Sequence, residues 1–302
     1  MNNVRHHTGA GFAYQRGLLW FWHRYCCFRQ RHLSPSSFNS PDNRIRVFRD
    51  FVNYRETPYD DNGHGTHIAG IISGNGYLSK GRYMGMAPKS HLIILKILDH
   101  HGNGTAETVC RAIEWTVRHQ ARFHIRIMNI SIGAKANQLT VENRMLTDAV
   151  EYAWDHGLIV VAAAGNNGPA LGSITLTGNK PEGDHCRCRT GDILARRAEE
   201  QLYFLRKRAH KNCICKPEIL APGFQICSCG NHKEHPYTIR SGTSMASPVV
   251  SGGIALILDQ YPDLTNKEVK RCLLKSARPL TLPEILSGMG IVPYSGMLRR
   301  QM

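Results

Sequence analysis

Residues 1–40 contain no Asp and no Glu, so every carboxylate that could serve chemistry or folding lies at position 42 or beyond. Also missing is an apolar run approaching the ~18 residues a membrane span needs. The nearest is Gly17-Leu18-Leu19-Trp20-Phe21-Trp22, and no small-residue cleavage site follows it. No signal peptide is read there, and the cytoplasm is the expected compartment unless translation starts further upstream. Ten cysteines in 302 residues show no disulfide-framework spacing, which favours free thiols. The Cys-x-Cys pairs at Cys186/Cys188, Cys213/Cys215 and Cys227/Cys229 lack the spacing of a structural zinc site. The formal charge of +15 invites a nucleic-acid or membrane partner, but its distribution argues against both. Residues 1–37 hold five Lys/Arg and no acid, 183–211 hold eight against four, and 286–302 hold two against none. The remainder is nearly balanced and offers no basic face.

A second absence is informative. From Gly242 to Leu258 there is not one charged side chain, and small residues recur at Ala246, Gly252, Gly253 and Ala255. This predicts a buried helix opening near Thr243, with Pro248 in its first turns, where a missing N–H is tolerated. Ser244 then sits at a helix N-terminus, where orphan N–H groups and the macrodipole favour negative charge. A serine there is either a nucleophile whose oxyanion is stabilised or an ordinary capping residue.

What else is present is a regular alternation. At 42% hydrophobic the chain has enough apolar mass for one large core. His91 to Leu98, Ile125 to Ile132 and Leu158 to Ala164 read as buried strands; Thr105 to Gln120 and Leu146 to His156 read as helices between them. That order predicts an α/β fold of three layers, a mostly parallel central sheet with helices on both faces. Ligands in such sheets bind beyond the carboxyl ends of the strands. Two strand ends there are chemically unusual: Asn129-Ile130-Ser131-Ile132-Gly133 and Ala163-Ala164-Gly165-Asn166. Upstream, Pro58 to Gly63 is a polar turn, and His64-Gly65-Thr66-His67 opens a helix that leaves an imidazole at its mouth. The His64/His67 pair lacks a third ligand at helical spacing, so a metal site is not expected.

His64-Gly65-Thr66-His67, Ser131-Ile132-Gly133, Ala164-Gly165-Asn166 and Gly242-Thr243-Ser244-Met245-Ala246-Ser247-Pro248 resemble, in order, the signature blocks of the subtilisin-like serine proteases. The resemblance takes in residues 1–302 as one domain and is strongest over 41–180 and 211–280; 1–37, 183–211 and 286–302 are atypical. It implies a serine endopeptidase acting as a monomer on peptide or protein substrates. Ser244 would be the nucleophile, His64 its general base and Asn166 an oxyanion donor beside the Ser244 N–H. The backbone of Ser131, Ile132 and Gly133 would pair with extended substrate. No cofactor is implied; some members bind calcium, and no ligands for it can be placed on this sequence.

One block is missing. The family places an Asp, followed by Ser/Thr-Gly, at the end of the first central strand. Asp42, Asp50, Asp60 and Asp61 precede no Ser/Thr-Gly, and none is read as ending an apolar strand. The alternative is therefore a catalytically impaired relic, or a peptide-binding pseudoprotease without the triad Asp. Codons offer an explanation. Arg29 to Ser36 written CGA CAG CGG CAT CTC TCC CCA TCC, displaced by one base, reads Asp-Ser-Gly-Ile-Ser-Pro-His-Pro. Three further segments, starting at Gly183, Leu205 and Ser287, return family-like sequence with the same displacement. The expectation is a gene with compensating frameshifts, and a chain in which residues 1–37 cost the sheet its middle strand.

Overall fold

The computed structural model describes residues 24–28, 35–132, 140–166, 186–190, 218–232 and 234–278. Their strands form a seven-stranded, all-parallel sheet and a two-stranded antiparallel ribbon. In chain order the sheet strands are β1 (Arg24–Phe28), β2 (Ile45–Asp50), β3 (His91–Lys96), β4 (Ile125–Ile130), β5 (Ile159–Ala163), β6 (Cys186–Thr190) and β7 (Ile219–Ala221). They lie in the order β2-β3-β1-β4-β5-β6-β7. The ribbon is β8 (Ile226–Cys229) and β9 (Tyr237–Arg240). The helices are α1 (Pro35–Asn39), α2 (His64–Ser73), α3 (Ala106–Phe123), α4 (Val141–Asp155), α5 (Thr243–Gln260) and α6 (Asn266–Ser276).

Strand alternation sorts side chains into two cores, because successive residues of a strand face opposite ways. Leu92, Ile94, Ile127, Ile159 and Val161 pack with α2, α5 and α6; Ile93, Leu95, Met128, Ile130, Val160 and Ala162 pack with α3 and α4. The sheet is thus the middle of three layers, as the α/β alternation requires. The absence of charge from Gly242 to Leu258 is explained by the burial of α5 on nearly every side, from Met245 to Leu258.

Two expectations are corrected. The middle strand is not lost: β1 pairs with β3 on one side, from Arg24 opposite His91, and with β4 on the other. Backbone pairing requires only an extended segment between two waiting strand edges, and Arg24–Phe28 supplies one. Asp50 closes β2, an edge strand whose Arg46 and Arg49 are exposed, so it still ends no apolar strand. Helix α4 opens at Val141, five residues before its first expected turn, because the Thr140 hydroxyl accepts the Asn143 N–H.

Candidate active site

Helices α3, α4 and α6 each begin behind a threonine whose hydroxyl caps the first turn. The helices that carry His64 and Ser244 do not: both begin behind a glycine with positive φ, Gly63 at 84° and Gly242 at 146°. Neither N-cap offers a side-chain oxygen, so the amides at these two helix mouths are held from elsewhere, or left for a ligand.

At α2 the task falls to Asp60. Its carboxylate accepts the N–H groups of Asn62 (3.1 Å), Gly63 (2.7 Å) and Thr66 (2.9 Å), and the Thr66 hydroxyl. Burial pushes its pKa up to about 7, against the pull of those donors. The loop is also tied to the strand that leads into the other helix: Arg240 donates to the Asn62 carbonyl at 3.3 Å. His64, half-buried at the first position of α2, is thereby placed by contacts on both sides of its loop.

At α5 the amides are reached from β5. The Asn166 side-chain oxygen accepts the Thr243 N–H at 3.0 Å and the Thr243 hydroxyl at 2.9 Å, while that hydroxyl accepts the Gly165 N–H at 3.0 Å. Asn166 itself is exposed. Ser244, half-buried, follows Thr243, and its N–H belongs to the unpaired first turn of α5. The Ser244 hydroxyl donates to the Ser131 carbonyl at 3.3 Å; among the described residues it has no hydrogen bond to His64. The structure thus brings Ser244, Asn166 and Ser131 together, and packs α2, with His64, against α5. Ile132 is partly buried directly after Ser131. Gly133 lies outside the described residues, as do Arg29 to Ser34, where the shifted Asp block falls.

Two of the carboxylates weighed for the third place have the following partners. Asp50 accepts the N–H groups of Val52 (2.8 Å), Asn53 (3.0 Å) and Arg55 (3.4 Å) and the Tyr59 hydroxyl (2.5 Å), which occupies both oxygens at an edge strand. Asp61 lies 3.6 Å from the fully buried Lys96 ammonium, which donates to the Leu98 carbonyl. Among the described residues there is no cluster of three or more His, Cys, Asp or Glu that could hold a metal, and Cys110, Cys227, Cys229 and Cys272 are free thiols. No described helix is long and apolar enough to cross a membrane.

A family model described as the subtilase family, Peptidase_S8, matches residues 28–291. The chain belongs to the subtilase family. Among relatives of this subtilase, the serine protease AprX of Bacillus subtilis (strain 168) is 36% identical over 256 residues, covering 77% of this chain and 56% of that protein. Subtilisin DY of Bacillus licheniformis is 32% identical over 231 residues, covering 76% of each. A solved structure titled S41 Psychrophilic Protease superposes with a TM-score of 0.73 at 26% identity, covering 89% of this chain and 90% of that one. The subtilase chain therefore spans little more than half of its relative AprX. Family match and superposition agree on a subtilisin-type fold.

Sequence reasoning missed Asp60, Thr243 and Arg240. The first carried a usable signal, since an Asp three residues before an uncapped Gly is a natural partner for orphan amides. Thr243 stands inside the Gly242–Pro248 block with nothing local to mark its bonds to Asn166, and Arg240 carries no signal in sequence.

Proposed function

We propose that this subtilase is an endopeptidase that cleaves peptide and protein substrates, as a monomer, through an acyl-enzyme. The observation that supports it best is the orientation of Asn166. Two Thr243 donors occupy its side-chain oxygen, so its amide nitrogen is the end left for a ligand. A substrate paired with the backbone of Ser131 to Gly133 would set its carbonyl beside Ser244. Ser244 Oγ attacks the carbonyl carbon as His64 takes the hydroxyl proton. The negative oxygen accepts from the Ser244 N–H and from Asn166 Nδ2. Collapse expels the amine, which leaves with the proton from His64, and water then repeats the sequence on the ester. Neither nucleic acid nor a membrane has a place in this reading, and no cofactor is needed.

A fluorophosphonate tests it, because phosphonylation requires an activated serine. Mass spectrometry should find the label on Ser244 and lose it in Ser244→Ala and in His64→Ala. A folded chain that stays unlabelled while subtilisin reacts alongside refutes the proposal.

A second reading, a catalytically impaired relic that still binds peptides, is favoured by two observations: the lack of any acid in residues 1–40 and a Ser244 hydroxyl turned to the Ser131 carbonyl. Replacing Arg29, Gln30 and Arg31 by Asp, Ser and Gly separates the two. Subtilisin loses about 3 × 10⁴ in turnover without its Asp, a value carried over from that enzyme. A comparable gain identifies the missing acid as the defect. Sequencing the gene for Asp-Ser-Gly in the displaced frame tests the frameshift itself.

A further inference from the structure

Pro248 lies inside α5, one turn after Ser244. In a regular helix the N–H of residue 248 would donate to the carbonyl of residue 244, four positions back, and proline has none. The first four amides of a helix need no such partner; residue 248 is beyond them, so the missing donor is felt, contrary to the expectation that it is tolerated. The carbonyl left short is that of Ser244.

The group that reaches it is a side chain from another element. Ser131 Oγ, after β4, donates to the Ser244 carbonyl over a long 3.4 Å. With its single proton assigned there, its two lone pairs are left to accept. Asn129 Nδ2 donates at 2.9 Å and Ser247 Oγ shares a 2.7 Å bond. Behind them Ser251 Oγ donates to Asn129 Oδ1 at 3.0 Å and lies 3.1 Å from the Ser247 carbonyl. Asn129, Ser131, Ser247 and Ser251 are all fully buried. Four polar side chains with no solvent exposure are costly unless each is satisfied, and here they satisfy one another. Ser131 closes the circuit, because its own carbonyl accepts the Ser244 hydroxyl.

We propose that Asn129, Ser131 and Ser247 form a positioning unit. It replaces the hydrogen bond that Pro248 removes and so fixes the Ser244 peptide relative to the segment expected to pair with substrate. The proposal rests on the endopeptidase reading for its kinetic consequence and on the fold alone for its structural one. Ser131→Ala leaves the Ser244 carbonyl without its donor, and Pro248→Ala then returns one. The pair makes a double-mutant cycle whose members couple only if they serve the same carbonyl. Per active site, titrated with the fluorophosphonate, Ser131→Ala is expected to lower kcat about tenfold or more with KM within about twofold, since misplacement of a reacting group by ~1 Å can cost about a hundredfold. Adding Pro248→Ala should recover most of that loss.

Additive effects, or an unchanged kcat in Ser131→Ala, overturn the proposal. Should Ser131→Ala fail to fold, Ser247→Ala removes one donor to Ser131 Oγ and is expected to show a smaller fall of the same kind. Hydrogen exchange at the amides of residues 244–251 needs no turnover. There, faster exchange in Ser131→Ala reversed by Pro248→Ala supports the unit, and independent effects sink it. A chain that shows the exchange coupling yet never takes the label would refute the endopeptidase reading and leave the positioning unit standing.

Discussion

Lowering the pH from 8 to 4 perturbs the fully buried imidazole of His67. His67 lies one turn after His64 in α2, and its Nε2 meets the Ile226 carbonyl at 3.0 Å and the Thr238 carbonyl at 3.2 Å, one on each strand of the β8–β9 ribbon. Two acceptors make Nε2 the protonated nitrogen, leaving Nδ1 with the lone pair, buried and without a partner. A second proton would place a charge and an unanswered N–H there. Burial, and then the nearby positive Arg240, lower its pKa to about 4. A depressed folded-state value means the unfolded chain binds the proton first as pH falls. The stability is therefore complete above about 6.5 and drains away towards pH 4, where the loss reaches about 3 kcal/mol, set by ~1.4 kcal/mol per unit less the half-titration at the end. Urea unfolding at pH 8, 6.5, 5 and 4 measures it. His67→Gln should cost about 1 kcal/mol at pH 8 for the weakened bond to the ribbon. It should also flatten the acid limb by most of the 3 kcal/mol. Parallel acid limbs in parent and variant would show that His67 does not set the acid sensitivity of the fold.

Asn166→Ala should lower kcat by about 10²–10³ with little change in KM, a magnitude carried over from the oxyanion donor of subtilisin; peptide hydrolysis at saturating substrate checks it, and parental activity removes the assignment. Gly70→Ala should destabilise by about 1–3 kcal/mol, because a Cβ there would lie 2.4 Å from Ser228 Oγ and 2.8 Å from the Cys229 backbone nitrogen, where the ribbon packs on α2. Its melting temperature should fall by several degrees. Gly102→Ala, at φ +87° in open space, should cost only local strain of about 1 kcal/mol and leave the ribbon untouched.

The layers were legible because burial writes itself into periodicity. Ile93 and Leu95 against Leu92 and Ile94 could be assigned to two faces once the strand was seen, and the charge-free run of α5 announced its burial. The nucleophile block was legible as a motif, yet its support was not. Nothing local in Ser131 indicates that its hydroxyl meets the Ser244 carbonyl, 113 residues away, or that Pro248 creates the need. Asp60 reads as one of several acids in a polar turn until the glycine N-cap of α2 shows which amides it serves. The error over β1 came from weighing side chains alone. Arg24 to Phe28 has no family-like pattern, but a strand between two ready neighbours is chosen by its backbone.

That placement of β1 bears on how the chain reaches its fold. Its partners begin at His91 and Ile125, so the centre of the sheet closes only after roughly seventy to a hundred residues of intervening chain have been gathered in, the kind of non-local pairing that slows folding. Until then β3 and β4 stand with open edges, able to take up any extended segment, including one from another copy. Refolding yield should therefore fall as protein concentration rises.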